Sequence, residues 1–157
     1  AGVTQIPMPG DVGAIDVASL NNFVFVLPTQ GAGLNGRFYW IEPGELTVDP
    51  LNFATAERSA DPVSSVRVFN DQFWLLGQNT TEPWYMTGDP DVPVQRLQGV
   101  VFDRGIHQGT AVQVKDSVIA VDSFGGVFVI SEGEQRISTP DIEEVLRKAI
   151  ARQNAGA

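Results

Sequence analysis

Three short stretches of the chain share one form, and their regular spacing limits the folds that the sequence can adopt. They are NNFVFVLP (21–28), NDQFWLLG (70–77) and KDSVIAVD (115–122), each a polar turn followed by a mainly apolar run. Phe23, Phe73 and Val118 mark equivalent points in the three stretches. They lie roughly 45 to 50 residues apart, and a repeat of that length with about four strands is typical of β-propeller blades.

Short segments with the composition of β-strands fill most of the chain. They are rich in Val, Ile, Phe and Trp, and Gly, Pro, Asn and Asp residues separate them. Many are continuously apolar, as expected for strands that are covered on both faces. The predicted strands are Val12–Ala18, Phe23–Leu27, Arg37–Ile41, Phe53–Ala56, Val63–Phe69, Phe73–Leu76, Trp84–Met86, Val92–Leu97, Ala111–Val114, Val118–Val121, Val127–Ile130 and Gln135–Ser138.

The sequence therefore predicts an all-β fold, a partial β-propeller of about three antiparallel blades over residues 11–138. Residues 1–10 form an extended lead-in to the first blade. Three blades do not close a ring, because propellers typically have about four to eight. Either polypeptide outside these residues would supply the missing blades, or the three blades would form an open wedge.

The C-terminal residues 139–153 predict one amphipathic α-helix. Thr139 is in the N-cap position and Pro140 in the first helical position, where proline is favoured. Apolar residues at helical spacing give the helix one apolar face, which needs a partner on a blade edge or on another subunit. These residues are Ile142, Val145, Leu146, Ala149 and Ile150.

Aromatic residues concentrate in the stretch FWLLGQNTTEPWYMTGD, residues 73–89, which holds two of the three tryptophans. We expect Trp74 and Trp84 to be buried between blades. The alternative is a propeller binding module, for carbohydrate or protein, in which exposed aromatic rings stack on a ligand. The residues predicted to form the interior or an interface are Trp40, Phe53, Trp74, Glu82, Trp84, Ile142, Val145, Leu146 and Ile150.

Catalytic residues are hard to find in the sequence. Cysteine is absent and His107 is the only histidine, so no zinc site and no cofactor is expected. Carboxylate pairs leave a propeller glycosidase as a further alternative. However, the candidate carboxylates stand mostly beside Pro or Gly, where turns are expected. They are Asp49, Glu57, Asp61, Asp89 and Asp91.

The charge of the chain argues against a surface that grips nucleic acid. Ten basic and 19 acidic residues give a formal net charge of −9, whereas DNA-binding surfaces carry clustered Lys and Arg. We expect no sequence-specific contact with nucleic acid. No apolar run approaches the roughly 18 residues that a membrane span requires, so no membrane partner is expected.

Several stretches, in their order along the chain, resemble the packaged-DNA stabilisation protein, or tail hub, of short-tailed bacteriophages. The resemblance extends over roughly residues 23–150 and includes FATAE, WLLG, TEPW and RIST. Pro83 departs from the family pattern, in which an aliphatic residue stands. A proline suits only an edge or a bulge of a sheet, so Pro83 bears directly on where the strand predicted at Trp84–Met86 begins.

The resemblance implies a structural, non-enzymatic virion protein that is assembled in the bacterial host cytoplasm. The chain would be a central piece of a longer tail hub or nozzle, which closes the portal and stabilises the packaged DNA. The implied partners are further copies in a ring-forming homo-oligomer and other tail or portal proteins. Acidic walls would fit such a channel, because they repel DNA and do not retain it during ejection.

Overall fold

Three four-stranded antiparallel sheets follow one another along the chain, and a helix follows the third sheet. The computed structural model describes residues 3–31, 33–56, 61–90 and 92–156. The strands are β1 (Ala14–Leu20), β2 (Phe23–Pro28), β3 (Arg37–Ile41), β4 (Phe53–Thr55), β5 (Val63–Phe69), β6 (Gln72–Gly77), β7 (Thr81–Met86), β8 (Val94–Arg96), β9 (Val112–Val114), β10 (Ser117–Val121), β11 (Val127–Ile130) and β12 (Glu134–Arg136), and the helix is α1 (Pro140–Ala155).

Each sheet is one blade, and within each blade the strands lie side by side in chain order. Blade 1 contains β1–β4, blade 2 contains β5–β8 and blade 3 contains β9–β12. The prediction of three antiparallel blades and one C-terminal helix is confirmed. The repeated segments around Phe23, Phe73 and Val118 are the second strands of the three blades, as expected.

The first hairpin of each blade has a two-residue turn, which explains the repeated polar pair. The turns of blades 1 and 2 are Asn21–Asn22 and Asn70–Asp71. All four residues have positive φ angles, between 51° and 66°. Asn and Asp tolerate this left-handed conformation, and a two-residue hairpin of this kind requires it.

The hairpin register corrects the predicted alignment of the repeats by one residue. Phe23, Gln72 and Ser117 each pair with the last residue of the preceding strand. The residue of blade 1 that is equivalent to Phe73 is therefore Val24, and not Phe23. The prediction was wrong because apolar residues stand on both faces of β2, so composition alone did not fix its register.

Pro83 lies inside β7, and the predicted strand start at Trp84 was wrong. The strand begins at Thr81 and is the third of four in its sheet. The Pro83 carbonyl accepts a hydrogen bond from the Leu97 amide, so a donor at Pro83 would also point toward the β8 side. The missing N–H therefore breaks no hydrogen bond between β6 and β7. It lies opposite Leu97, one residue beyond the end of β8.

The ends of the chain differ in detail from the predicted bounds. Residues 3–8 have no regular secondary structure, and a short 3₁₀ helix spans Pro9–Asp11. Met8 packs against the apolar cluster on the outer side of blade 1, which includes Val26 and Tyr39. At the other end, α1 begins at Pro140 and extends to Ala155, two residues beyond the predicted end.

The apolar core lies between the blades. One cluster joins blades 1 and 2 and another joins blades 2 and 3. We call the side of a blade that is turned toward the next blade in the chain its forward face, and the opposite side its rear face. Since neighbouring residues of a strand point to opposite sides, each blade contributes alternate residues to two interfaces.

Candidate functional site

Two of the predicted aromatic residues, Trp40 and Trp84, lie in the apolar cluster between blades 1 and 2. The rings of Phe25 and Phe73 stack with their centroids 4.1 Å apart. Trp84 meets Phe38 edge to face, at 5.1 Å between centroids. Trp84 is 3% exposed and Trp40 is 8% exposed. Aromatic pairs at these distances stabilise an interface beyond the area they bury.

Trp74 points to the other side of blade 2. Its ring stacks on Phe69, with centroids 4.7 Å apart, and on Phe102 at 5.8 Å. Only 4% of the residue is exposed. The prediction that Trp74 and Trp84 are buried is therefore confirmed, and neither ring offers an open platform for a ligand.

Phe53 and Glu82, the other two predicted blade residues, lie in different environments. Phe53 is on the outer strand β4 and is 37% exposed. The Arg37 guanidinium lies 4.3 Å from the centroid of its ring. Glu82 is almost fully buried in β7, where it pairs with Leu75 of β6. The structure does not bring these two residues together with the tryptophans into one open site.

Polar side chains on the first strands tie the blades together, and the sequence analysis missed them. Asp16 of β1 accepts hydrogen bonds from the Ser65 hydroxyl, the Val66 amide and Arg67 Nη1, the last at 2.6 Å. Burial raises the pKa of Asp16, but these hydrogen bonds and the charge of Arg67 outweigh it and leave the pKa below its ordinary value. Arg67 Nη2 also donates to the Ala111 carbonyl, at 3.1 Å.

Arg67 therefore contacts blade 1 on one side and the segment that enters blade 3 on the other. Gln113 of β9 adds a second link, since its Nε2 donates to the Val68 carbonyl at 2.6 Å. The available signal was a single charge in the middle of an otherwise uncharged strand. Asp16 in GAIDVAS and Arg67 in SSVRVF both fit that description.

The helix packs through a side that differs from its predicted apolar face. Among the described residues of α1, Glu143 is the one that is buried. Its carboxylate accepts hydrogen bonds from Arg136 and Ser138. These bonds hold the pKa of Glu143 below its ordinary value. The Gly125 turn of blade 3 approaches so closely that a Cβ at this position would lie 2.6 Å from the Glu143 carbonyl oxygen.

The predicted helix face is only partly covered. Ile142 and Val145 are 51% and 66% exposed, and Leu146 and Ile150 are half-buried. Thr139 is the N-cap residue, but its side chain makes no capping hydrogen bond. Within the described residues, neither α1 nor any other helix is both long enough and apolar enough to cross a membrane.

The candidate catalytic residues have structural hydrogen bonds. Asp61 accepts a hydrogen bond from the Asn79 amide at 2.6 Å, and Asp49 accepts one from the Leu51 amide at 2.8 Å. His107 Nε2 lies 3.3 Å from Gln153 Oε1 of α1. Two predicted carboxylates, Glu57 and Asp91, lie outside the described residues. In the described part of the chain, no three His, Asp or Glu side chains form a group that could hold a metal.

Two clefts near α1 and blade 3 also lack a catalytic arrangement among the described residues. A cleft of about 370 Å³ between α1 and blade 3 is lined by uncharged side chains and His107. A smaller cleft contains Asp103 and Asp122. Asp122 accepts hydrogen bonds from Arg104 Nη1 at 2.9 Å and from the Phe124 and Gly126 amides at 2.8 Å. These bonds hold the turn at Phe124–Gly126 and the Arg104 side chain in place, and they engage both carboxylate oxygens of Asp122.

The fold and its interior therefore define a structural β-propeller whose aromatic residues pack blades. A protein-family model described as "Bacteriophage P22 Gp10, beta-propeller" matches residues 43–157, more than half of the chain. The chain belongs to this family, and it is a phage structural protein. No curated protein sequence matches it significantly.

Solved structures with similar folds share little sequence with the chain. The computationally designed Ika4 protein has a TM-score of 0.55 and 17% identity, over 90% of this chain and 81% of that one. YCF48 from Cyanidioschyzon merolae has a TM-score of 0.53 and 11% identity, over 83% of this chain and 41% of that one. Raptor from Chaetomium thermophilum has a TM-score of 0.53 and 14% identity, over 86% of this chain and 13% of that one. At these identities the likeness concerns the fold alone.

Proposed function

We propose that the chain is part of a tail hub, a ring-forming component that closes the portal and stabilises the packaged DNA. The observation that carries the proposal is the family match over residues 43–157. In this role the protein holds DNA mechanically, through assembly with itself and with portal or tail proteins, and it catalyses no reaction.

The placement of the aromatic residues supports a structural role over a sugar-binding one. Carbohydrate recognition by stacking requires aromatic faces that are open to solvent. Trp40, Trp74 and Trp84 are each at least nine-tenths buried. They lie in the apolar clusters between blades, so replacing them would change stability before it changed any binding.

The distribution of charge supports a hub that does not adhere to DNA. Several cations are already paired with carboxylates on the protein itself. Arg67 pairs with Asp16, Arg104 with Asp122 and Glu134, and Arg136 with Glu143. A protein that neutralises about six to ten phosphates needs that many cations on one surface. Here the cations are dispersed among 19 carboxylates.

The exposed side of α1 is the proposed contact surface for a neighbouring tail component. Ile142 and Val145 expose more than half of their surface, and Leu146 and Ile150 border them on the helix. The double replacement of Ile142 and Val145 by Asp should reduce incorporation into particles. The replacement of the exposed Leu51 by Asp is the matched control and should leave incorporation unchanged.

The direct test of the role uses purified particles of the phage that encodes the chain. An antibody against the chain should label the tail end of the particle in electron micrographs. Particles assembled without the protein should fill with DNA and then lose it. Particles that lack the label, or that keep their DNA without the protein, would contradict the proposal.

The absence of adhesion to DNA has a separate test. Fluorescence anisotropy of a labelled duplex should show no binding at physiological salt up to about 10 μM protein. A variant with Glu45→Lys, Glu132→Lys and Asp141→Lys, three exposed positions, is the matched control and should bind more strongly at low salt. Micromolar, salt-sensitive binding by the unmodified chain would contradict a non-adhesive hub.

A further inference from the structure

A cleft of about 350 Å³ lies at the junction of blades 1 and 2, at the end of the sheets where β1 and β5 begin. Blade 1 contributes part of the loop between β2 and β3, including Asn35, and blade 2 contributes the start of β5. Gln108 comes from the segment before β9. The walls are therefore brought together by the fold, and the volume is in the range of small-molecule sites, about 300–1,000 Å³.

A β-bulge in each of the two blades places a side chain in the wall of this cleft. Ile15 in β1 and Ser64 in β5 are the residues that the bulges leave unpaired, and both line the cleft. Each is the second residue of its strand, so the two bulges are at equivalent positions. Bulges re-aim side chains and are frequent beside active sites, so this shared position is a reason to ask what the cleft binds.

Two buried polar atoms of the lining residues have no hydrogen-bond partner in the described structure. Ser64 is only 7% exposed, and its Oγ is one of these atoms. The other is Oδ1 of Asn35, which belongs to blade 1. Buried polar groups are nearly always hydrogen-bonded in folded proteins. The two atoms therefore offer hydrogen bonds from both blades to a molecule that enters the cleft.

The wall between these two atoms is held in place by hydrogen bonds of Gln30. Its Nε2 donates to the Pro28 carbonyl at 2.9 Å. Its Oε1 accepts from the amides of Gly36 and Val63, at 2.8 and 3.2 Å. These bonds join the loop of blade 1 to the start of β5. The cleft is thus formed before a ligand arrives, which reduces the entropy that binding loses.

The lining side chains favour a neutral ligand that carries several hydroxyl groups. No charged side chain is among the described lining residues, and the net charge of −9 disfavours an anion. The hydroxyl of Ser64 and the amides of Gln78 and Gln108 can both donate and accept hydrogen bonds, as a sugar hydroxyl does. Ile15 and Pro62 give the cleft an aliphatic wall, which suits the C–H face of a sugar ring.

We propose that the cleft between blades 1 and 2 binds a neutral saccharide of about one or two sugar units, through Ser64, Asn35 and the two glutamines. No aromatic side chain is among the described lining residues, so the buried tryptophans take no part. A peptide strand fits less well, because its donors and acceptors repeat along a line, whereas the polar groups here come from both sides of the cleft. The inference goes beyond the proposed structural role and does not depend on it.

The test is an NMR titration of the isotope-labelled chain with glucose, galactose, rhamnose and N-acetylglucosamine. At least one of these sugars should shift the backbone amide signal of Ser64 and the side-chain amide signals of Gln78 and Gln108, with a dissociation constant of about 1–10 mM. Glucuronate and galacturonate should shift them less, because the described lining residues include no cation. The absence of these shifts with all of the neutral sugars would overturn the proposal.

Two variants and a matched control locate the site. Ser64→Ala should raise the dissociation constant about threefold or more, because it removes one hydrogen bond to the sugar. It should not lower the Tm, because it removes a buried hydroxyl that has no partner in the described structure. Gln108→Ala, at an exposed position, should also weaken binding. Ser19→Ala is the control, since Ser19 is exposed near the other end of β1, and it should bind as the unmodified chain does.

Three further results would also overturn the proposal. Equal affinity of Ser64→Ala and the unmodified chain would place the sugar elsewhere. A lower Tm of Ser64→Ala without sugar-dependent shifts in the unmodified chain would mean that the hydroxyl binds structural water. Shifts caused by the neutral peptide mimic N-acetylglycine N-methylamide, and by none of the sugars, would identify a peptide site.

Discussion

The two junctions between blades differ in what each blade contributes. Between blades 1 and 2, aromatic rings come from both sides, with Phe25 and Phe38 facing Phe73 and Trp84. Between blades 2 and 3, the blade 3 members of the shared apolar cluster are small or aliphatic, namely Ala111, Val118, Ala120 and Ile130. The first junction therefore holds more ring–ring contacts than the second.

This difference indicates that the blades are not equally stable. Buried apolar area is the main source of stabilisation. In the described residues blades 1 and 3 each have one face without a neighbouring blade, but only blade 1 contributes aromatic rings to the cluster that it shares with blade 2. Two arginines compensate in part, because Arg67 donates to the Ala111 carbonyl and Arg104 stacks over Phe128. We expect blade 3 to open at a lower free energy than blades 1 and 2, as a separate cooperative unit.

The largest expected effect is the removal of an indole ring from either junction. Trp84→Ala and Trp74→Ala should each lower the free energy of unfolding by about 3–5 kcal/mol, with Trp84 at the upper end. Trp→Phe at either position is the matched control, since it keeps a ring in the contact and should cost less. Chemical denaturation measures both losses. An unchanged stability in Trp74→Ala would restore the hypothesis of a ligand-stacking tryptophan.

A smaller loss should distinguish the two faces of blade 3. Ile130→Ala, on the covered rear face, should lower the free energy of unfolding by about 2–4 kcal/mol. Ile119→Ala, on the open forward face of the same blade, should cost less than about 1 kcal/mol in the monomer, because the residue is only half-buried. Equal losses in denaturant titrations at low protein concentration would mean that the forward face is covered.

The polar link between blades 1 and 2 should contribute less than the rings. Asp16→Asn removes the charge that Arg67 faces and should cost about 1 kcal/mol, because the pair is partly solvated. The matched control is Asp71→Asn, at an exposed position in the turn between β5 and β6. This replacement should leave the free energy of unfolding unchanged. A Tm for Asp16→Asn equal to that of the unmodified chain would show that the link contributes only to specificity.

The smallest effect concerns the helix and depends on pH. Because the pKa of Glu143 lies below its ordinary value, the unfolded chain takes up this proton at a higher pH than the folded chain. The contribution of the Arg136–Glu143 pair is complete above the ordinary glutamate pKa and is lost as the pH falls below about 4. Glu143→Gln cannot titrate, so its Tm should fall less steeply between about pH 5 and pH 3. Parallel curves for the two chains would contradict this assignment.

The second strands of the blades could be predicted from the sequence because each is a mainly apolar run that follows a polar turn. Asn21–Asn22 and Asn70–Asp71 show how directly turn chemistry determines a hairpin. The start of β7 could not be predicted in this way. The tolerance of Pro83 depends on where β8 ends, and no local pattern contains that information.

The predicted interface residues show a similar limit. The burial of Trp74 and Trp84 follows from the blade repeat and was predicted. The orientation of α1 was not, since apolar spacing identified Ile142 and Val145, whereas Glu143 is the buried residue. That orientation depends on Arg136 and Ser138, which lie outside the helix, so a helical pattern alone cannot determine it.

The unequal stability of the blades is tested most directly by hydrogen exchange, measured at low protein concentration. The amides of β10 and β11 should exchange together, and before those of β2, β3, β6 and β7. Their opening free energy should respond to Ile130→Ala and only weakly to Trp84→Ala. Exchange of all three blades at one common free energy, or the earliest exchange in blade 1, would contradict the account.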